Sequence, residues 1–176
     1  MRKATAVKLA ILIAIVGGTA FFALRQRQAR PLAIGERAPD FSLPAFPSGS
    51  LDLETYRGQV VLVHFWATWC PPCVEETPGL VRFSERMRNQ GVAVVSVSVD
   101  ENPEALRDFI ERYRISYPVG RDPKQTLAAR YGTFLFPETY ILDRGGFLAE
   151  KVANAADWSD PRMQNFVLNL THSSRQ

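Results

Sequence analysis

Cysteine is scarce in this chain, with two among 176 residues. Two thiols cannot build a multi-bridge disulfide framework, so the fold has to rest on an ordinary hydrophobic core. Histidine is as scarce, with only His64 and His172, and a zinc site would need a further paired cluster of ligands that the chain does not have. No block of like charge occurs. The formal net charge is +3, with the excess near the N-terminus, which argues weakly for a membrane surface and hardly at all for nucleic acid. Internal repeats and low-complexity tracts are also missing. With 46% apolar residues, one globular domain is the expectation.

What the chain does have at its start is an uncharged run, LAILIAIVGGTAFFAL, Leu9 to Leu24. Arg2, Lys3 and Lys8 precede it; Arg25, Arg27 and Arg30 follow it. Counted from Ala4, with Lys8 reaching for the interface, residues 4–24 approach the roughly 20 residues of a membrane-spanning helix. A cleaved signal peptide is the alternative, because GGTA offers small residues to a peptidase. The apolar run continues past Ala20 through Phe21, Phe22 and Leu24, which favours an uncleaved anchor. Basic flanks on both sides leave its orientation unset. Residues 1–33 are read as anchor and linker, and 34–176 as the folded domain.

In the body, FSLPAFPSGSLDL reads as two short strands around a turn, and ETYRGQ as a helical turn ending at Gly58. VVLVHFWA and VAVVSVSVD are apolar almost throughout, as strands buried on both faces are. Between them, Leu80, Phe83 and Met87 recur at helical spacing; Pro78 lies inside the pattern, where it should kink the helix, and Gly91 closes it. NPEALRDFIERYRI opens with Asn102 as N-cap and Pro103 at the first helical position. DPKQTLAARYG repeats that opening with Asp122 and Pro123. ETYILD and FLAEKVA flank RGG as a hairpin, and a last helix starts near Asp160. The order strand, helix, strand, helix, short helix, hairpin, helix predicts a mixed sheet with helices on both faces, an α/β sandwich.

Both cysteines fall in HFWATWCPPC, His64 to Cys73, where a buried strand gives way to a helix. Residues three apart at a helix start share a face and meet the geometry of a disulfide. Cys70, at the helix N-terminus, faces unsatisfied amide donors and the positive end of the macrodipole, which favour thiolate. Cys73, one turn in, is more sheltered and suited to resolve a mixed disulfide. Pro71 and Pro72 bring no N–H, so the Cys70 pKa is expected to fall only moderately, which suits a reductant. Two other readings of the pair stay open. Thiols and a histidine can bind and deliver copper, or hold other thiols. A thiol peroxidase usually carries Pro and Thr ahead of its cysteine, where this chain has Val63 and Ala67.

FWATWCPPC strongly resembles the active-site motif of thioredoxin-fold proteins. GERAPDFSLP, WATWCPPCVEETP, the stretch from VVSVSVD to YPVGRDP, and YGTFLFPETYILDRGG resemble the membrane-anchored branch that includes TlpA, ResA and CcmG (DsbE). The likeness covers about Ile34 to Leu170. It implies a thioredoxin-like three-layer α/β/α sandwich with a mixed sheet, an extra strand-helix insertion and a short N-terminal hairpin. It implies that Cys70 is the exposed nucleophile, Cys73 the resolving thiol, and Cys70–Cys73 the redox disulfide. Pro137 would be cis and face the cysteines, with the Phe136 backbone pairing an extended substrate strand. Trp66 and Trp69 would pack around the thiols, although Trp66 also reads as plain core. Glu76, one turn beyond Cys73, is a candidate proton relay with a raised pKa, whereas Glu75 reads as a solvated neighbour. Glu138, beside Pro137, is a candidate for partner selection. His64 departs from the branch, which usually has asparagine there; a neutral imidazole beneath the cysteines is a candidate acceptor for the Cys73 proton. The implied activity is reduction of client disulfides, with apocytochrome c as the leading client and a transmembrane thiol donor recharging the pair. The implied place is the inner membrane, catalytic domain on the periplasmic side. No cofactor or metal is expected, because the dithiol itself carries the electrons.

Overall fold

A computed structural model describes residues 15–19 and 31–172. In chain order its elements are β1 (Ser42–Phe46), β2 (Ser50–Asp52), a 3-10 turn (Leu53–Tyr56), β3 (Val60–Trp66), α1 (Pro71–Met87), β4 (Val92–Ser98), α2 (Pro103–Tyr113), β5 (Val119–Arg121), α3 (Thr126–Tyr131), β6 (Glu138–Leu142), β7 (Leu148–Ala153) and α4 (Pro161–His172). Residues 15–19 are helical. The rest of the expected 4–24 anchor lies outside the described residues. Among those described, no helix is long and apolar enough to cross a membrane.

The seven strands form one sheet in the order β2-β1-β5-β4-β3-β6-β7. β3 lies between β4, which runs parallel to it, and β6, which runs antiparallel. All seven of its residues are buried, which is why its sequence is continuously apolar instead of alternating. Successive side chains nonetheless serve opposite faces. Val61, Val63 and Phe65 join Leu106, Phe109, Leu127 and Tyr131, from α2 and α3, in one core. Val60 and Leu62 join Leu80, Phe83, Met87 and Val167, from α1 and α4, in the other. The fold is the thioredoxin-like α/β sandwich.

Three local expectations need correction. β5 has no place in the order read from the sequence. With three residues it is too short to show a period, and it exists through its pairing with β1 and β4. The helix expected to open at Asp122 and Pro123 opens at Thr126 instead, after Gln125 at φ 52. Asp122 still caps it from outside, accepting the N–H groups of Thr126, Leu127 and Ala128 at 2.8, 2.8 and 2.9 Å. α1 ends at Met87, short of Gly91, and continues through Pro78. Asn102 caps α2 as expected.

Gly132 ends α3 at φ 75, and a Cβ there would sit 2.4 Å from the Pro31 Cα. Both the left-handed backbone and the contact demand glycine. Gly132→Ala should therefore lower the unfolding free energy by at least about 1–2 kcal/mol. Urea denaturation checks this, and an unchanged midpoint would contradict the close approach.

Candidate active site

The site forms where β3 runs out and α1 begins. Cys70 is the N-cap of α1, at φ −94 and ψ 108, and Pro71 and Pro72 open the helix. Its Sγ accepts the Cys73 N–H at 3.3 Å. The two prolines have no N–H to offer, so this is the donor the helix start supplies to the sulfur. Cys70 and Cys73 are joined as a disulfide with Cα atoms 5.3 Å apart, so closing it leaves the helical path intact. Cys73 is fully buried and Cys70 is only 4% exposed. The openly exposed Cys70 expected above is thus not seen in this disulfide state. Its Sγ lies 3.5 Å from the Phe136 carbonyl oxygen, under the loop that leads into β6.

That loop carries the Phe136–Pro137 peptide bond, which is cis as expected, and it is the Phe136 carbonyl that faces Cys70. The Phe136 ring meets Trp69 edge-on, with centroids 6.1 Å apart. Trp69 is 63% exposed and stands at the rim, while Trp66 is buried against Phe109 in the core. The turn between the two tryptophans is held from β4's end. The Thr68 N–H and hydroxyl both donate to the buried Asp100 carboxylate, the hydroxyl at 2.6 Å, and Ser98 donates to it at 2.7 Å.

Behind Cys73, one turn along α1, Glu76 is 6% exposed. Its Oε2 accepts the Ala156 N–H and the Trp158 indole N–H, each at 3.0 Å. Among the described residues its Oε1 has no hydrogen-bond partner, and it lies 3.5 Å from His64 Nε2. Burial is the dominant influence and pushes the carboxyl up to about 7, against the two N–H donors that lower it. Burial also pushes His64 down to about 3. The proton of this pair therefore belongs to Glu76, and His64 is a neutral imidazole with no ion pair to make. Its Nδ1 is 2.9 Å from the Thr139 hydroxyl on β6. That hydroxyl can either donate or accept, so the ring can present Nε2 as acceptor to a protonated Glu76 or as N–H donor to an ionised one. Glu75 is exposed, as expected.

Glu138, the candidate for partner selection, is not a surface group. It is 7% exposed, paired with Lys151 at 2.9 Å and 3.2 Å from the Tyr140 hydroxyl oxygen. As the first residue of β6, an inner strand, it turns its charge toward Lys151 on β7. Sequence reasoning also missed Asp100 and Trp158. An acid closing the apolar run VAVVSVSVD was the available signal for Asp100. Nothing local marks Trp158, which meets Glu76 across 82 positions. Among the described residues, no group of three or more His, Cys, Asp or Glu side chains is placed to hold a metal ion.

A closed Cys-Pro-Pro-Cys pair at a helix start, a cis-proline loop opposite it and a buried carboxylate behind it on this fold define a thiol–disulfide oxidoreductase. Comparison with known proteins gives the same class. The AhpC/TSA family profile matches residues 34–151. Thiol-disulfide oxidoreductase ResA of Bacillus anthracis is 27% identical over 174 residues, spanning 97% of this chain and 99% of its own length. Thioredoxin-like protein YneN of Bacillus subtilis is 32% identical over 145 residues, 80% of this chain and 84% of its own. The Chlorobium tepidum protein assigned as thiol:disulfide interchange protein DsbE superposes with a TM-score of 0.74 at 26% identity, covering 80% of this chain and 99% of that one. The chain belongs to the AhpC/TSA family, and within it to the thiol–disulfide oxidoreductases of ResA and DsbE type.

The Glu76 carboxyl gives a test of the site's electrostatics. Its folded pKa, about 7, exceeds the ordinary value of 4.5, so the native state holds the proton more tightly. The stability this contributes is complete below that ordinary value and is lost as pH rises through 7. Glu76→Gln keeps a side-chain oxygen for Ala156 and Trp158 but does not titrate. Relative to the unmodified protein, its unfolding free energy should rise between about pH 5 and about pH 8, by up to about 3 kcal/mol. Urea unfolding at both pH values measures this; a difference that does not change with pH would contradict a buried, proton-holding Glu76.

Proposed function

We propose that this oxidoreductase reduces disulfides of client proteins outside the cytoplasm. Residues 4–24 would anchor it in the inner membrane with its catalytic domain on the periplasmic side. The observation that carries the reducing direction is the thin stabilisation around Cys70 Sγ: one N–H donor at 3.3 Å and a carbonyl oxygen at 3.5 Å. A thiolate that is weakly stabilised belongs to a dithiol that gives up its electrons readily.

Chemically, the Cys70 thiolate attacks one sulfur of a client disulfide. The client S–S bond breaks, a mixed disulfide forms and one client thiolate leaves. Cys73 then loses its proton and attacks Cys70 Sγ, which closes the internal disulfide and releases the second client thiol. Two electrons pass to the client; the first client thiolate takes a proton from solvent, and the second takes back the proton that Cys73 gave up. Glu76, half ionised near pH 7, is the nearby group suited to take the Cys73 proton, with His64 and Thr139 adapting to either of its states. Phe136 offers its backbone to the client beside Pro137, and Trp69 flanks the approach. A transmembrane thiol donor would recharge the pair. The haem-attachment thiols of an apocytochrome c are the client class suggested by resemblance to the ResA and CcmG branch.

Cys73→Ser tests this directly, since a mixed disulfide on Cys70 then has no resolving thiol. Expressed in whole cells, it should accumulate covalent adducts with extracytoplasmic proteins that carry a cysteine pair, releasable by a small thiol. Adducts with cytoplasmic proteins alone, or none, would contradict the proposal. The role of His64 is tested separately. His64→Leu removes the donor that an ionised Glu76 needs, and charged acceptors lose more than neutral ones. The Glu76 carboxyl, followed by carbon NMR, should titrate about one pH unit higher than in the unmodified protein. An unmoved titration would take His64 out of the mechanism.

A further inference from the structure

The folded domain leaves few large apolar side chains in solvent. Among the described residues from 31 onward they are Ile34, Trp69, Phe134 and Leu135, at 65, 63, 66 and 71% exposure. All but Ile34 belong to the two segments that meet at the disulfide. Trp69 immediately precedes Cys70. Phe134 and Leu135 immediately precede Phe136, whose carbonyl oxygen is 3.5 Å from Cys70 Sγ and whose ring contacts Trp69. Scattered exposed hydrophobes are ordinary, but a cluster beside a reactive group marks a surface that is covered in use.

Both segments are pinned at their base. Asp100 fixes Thr68, and with it the outward turn that carries Trp69. Thr133 donates its hydroxyl to Tyr140 Oη at 2.9 Å, and Tyr140 in turn reaches the Tyr131 carbonyl at 2.9 Å. Gly132 lies against Pro31 on one side of the loop, and β6 begins directly after Pro137 on the other. Phe134 and Leu135 are therefore presented on a loop held at both ends, and a partner docking there has less order to impose. The two segments, 65–74 and 131–137, contain no Asp, Glu, Lys or Arg. They offer a charged partner no counter-ion and would only strip water from it.

The redox disulfide fixes where a client must lie, because one of its sulfurs has to bond to Cys70 Sγ. Successive Cα atoms are about 3.8 Å apart, so Leu135 and Phe134, one and two residues before Phe136, reach client residues within about three positions of its cysteine. We infer that Trp69, Phe134 and Leu135 form a recognition surface for an extended client segment, and that this oxidoreductase prefers disulfides flanked by large uncharged apolar residues. The inference rests on the disulfide-exchange reading above and adds the chemistry by which clients are chosen.

The test uses the full chain, reduced and in detergent, with two synthetic peptides of equal length and charge, each closed by one disulfide. One has Leu and Phe beside its cysteines; the other has Ser and Asn. The ratio of kcat/KM for the apolar-flanked over the polar-flanked peptide should be about tenfold or more. It should fall close to one in the double variant Phe134→Ser, Leu135→Ser, and stay at the unmodified value in Ile34→Ser. Leu135→Ser alone, with an intermediate ratio expected, serves if the double variant does not fold. A ratio near one in the unmodified protein, or one that survives loss of both side chains, would overturn the inference while leaving disulfide exchange standing. Reduction of neither peptide would remove the exchange reading, and this inference with it.

Discussion

Everything in this protein's chemistry depends on how α1 begins. Cys70 occupies the N-cap, and its sulfur takes the role that a serine or aspartate oxygen usually plays, accepting the N–H three residues on. Because that N–H belongs to Cys73, the contact that caps the helix also brings the second thiol to the first. Pro71 and Pro72 set the helical backbone between them without adding donors. Helix initiation and the redox couple are thus a single local arrangement, and the rest of the fold serves to hold it at one end of a buried strand. β3 supplies the rigid approach, Asp100 fixes the turn through Thr68, and the loop ending at Pro137 closes over the sulfur.

Behind the disulfide, the protein keeps a titratable group where burial should forbid one. Among the described residues, no cation neutralises the Glu76 carboxylate. Two N–H donors meet one of its oxygens, and a neutral imidazole lies 3.5 Å from the other. This leaves it near its midpoint at neutral pH, where it can accept and return a proton with little cost either way. The acidic group beside the cis-proline is treated oppositely. Glu138 has Lys151 and Tyr140 as partners and is tied into the sheet. Two buried glutamates a short distance from one disulfide therefore differ in task because one has a counter-ion and the other does not.

Much of this was legible in the sequence, for reasons that differ by element. β3 and β4 announced themselves as continuous apolar runs because both of their faces are covered. α2 was readable from Asn102 and Pro103, whose capping chemistry is local. The disulfide followed from cysteine spacing and a strand-to-helix transition. β5 was not readable, since three residues carry no period and its existence depends on neighbours distant in the chain. The shifted start of α3 reflects a carboxylate that caps from four residues away, beyond the usual offset. The environment of Glu76 was hidden for a related reason: Trp158 and His64 come to it from other elements, and burial depends on all of them together. Glu138 misled because adjacency to Pro137 suggests a rim position, whereas an inner strand begins at that residue.

The central claim is that Cys70 and Cys73 form a two-electron carrier that hands its electrons to an oxidised polypeptide. The most direct measurement mixes the fully reduced protein with a disulfide-containing polypeptide and counts thiols on each by mass after alkylation. The account predicts that one Cys70–Cys73 disulfide closes for every client disulfide that opens, and that Cys70→Ser abolishes the transfer. No loss of client disulfides, or transfer that continues without Cys70, would contradict it.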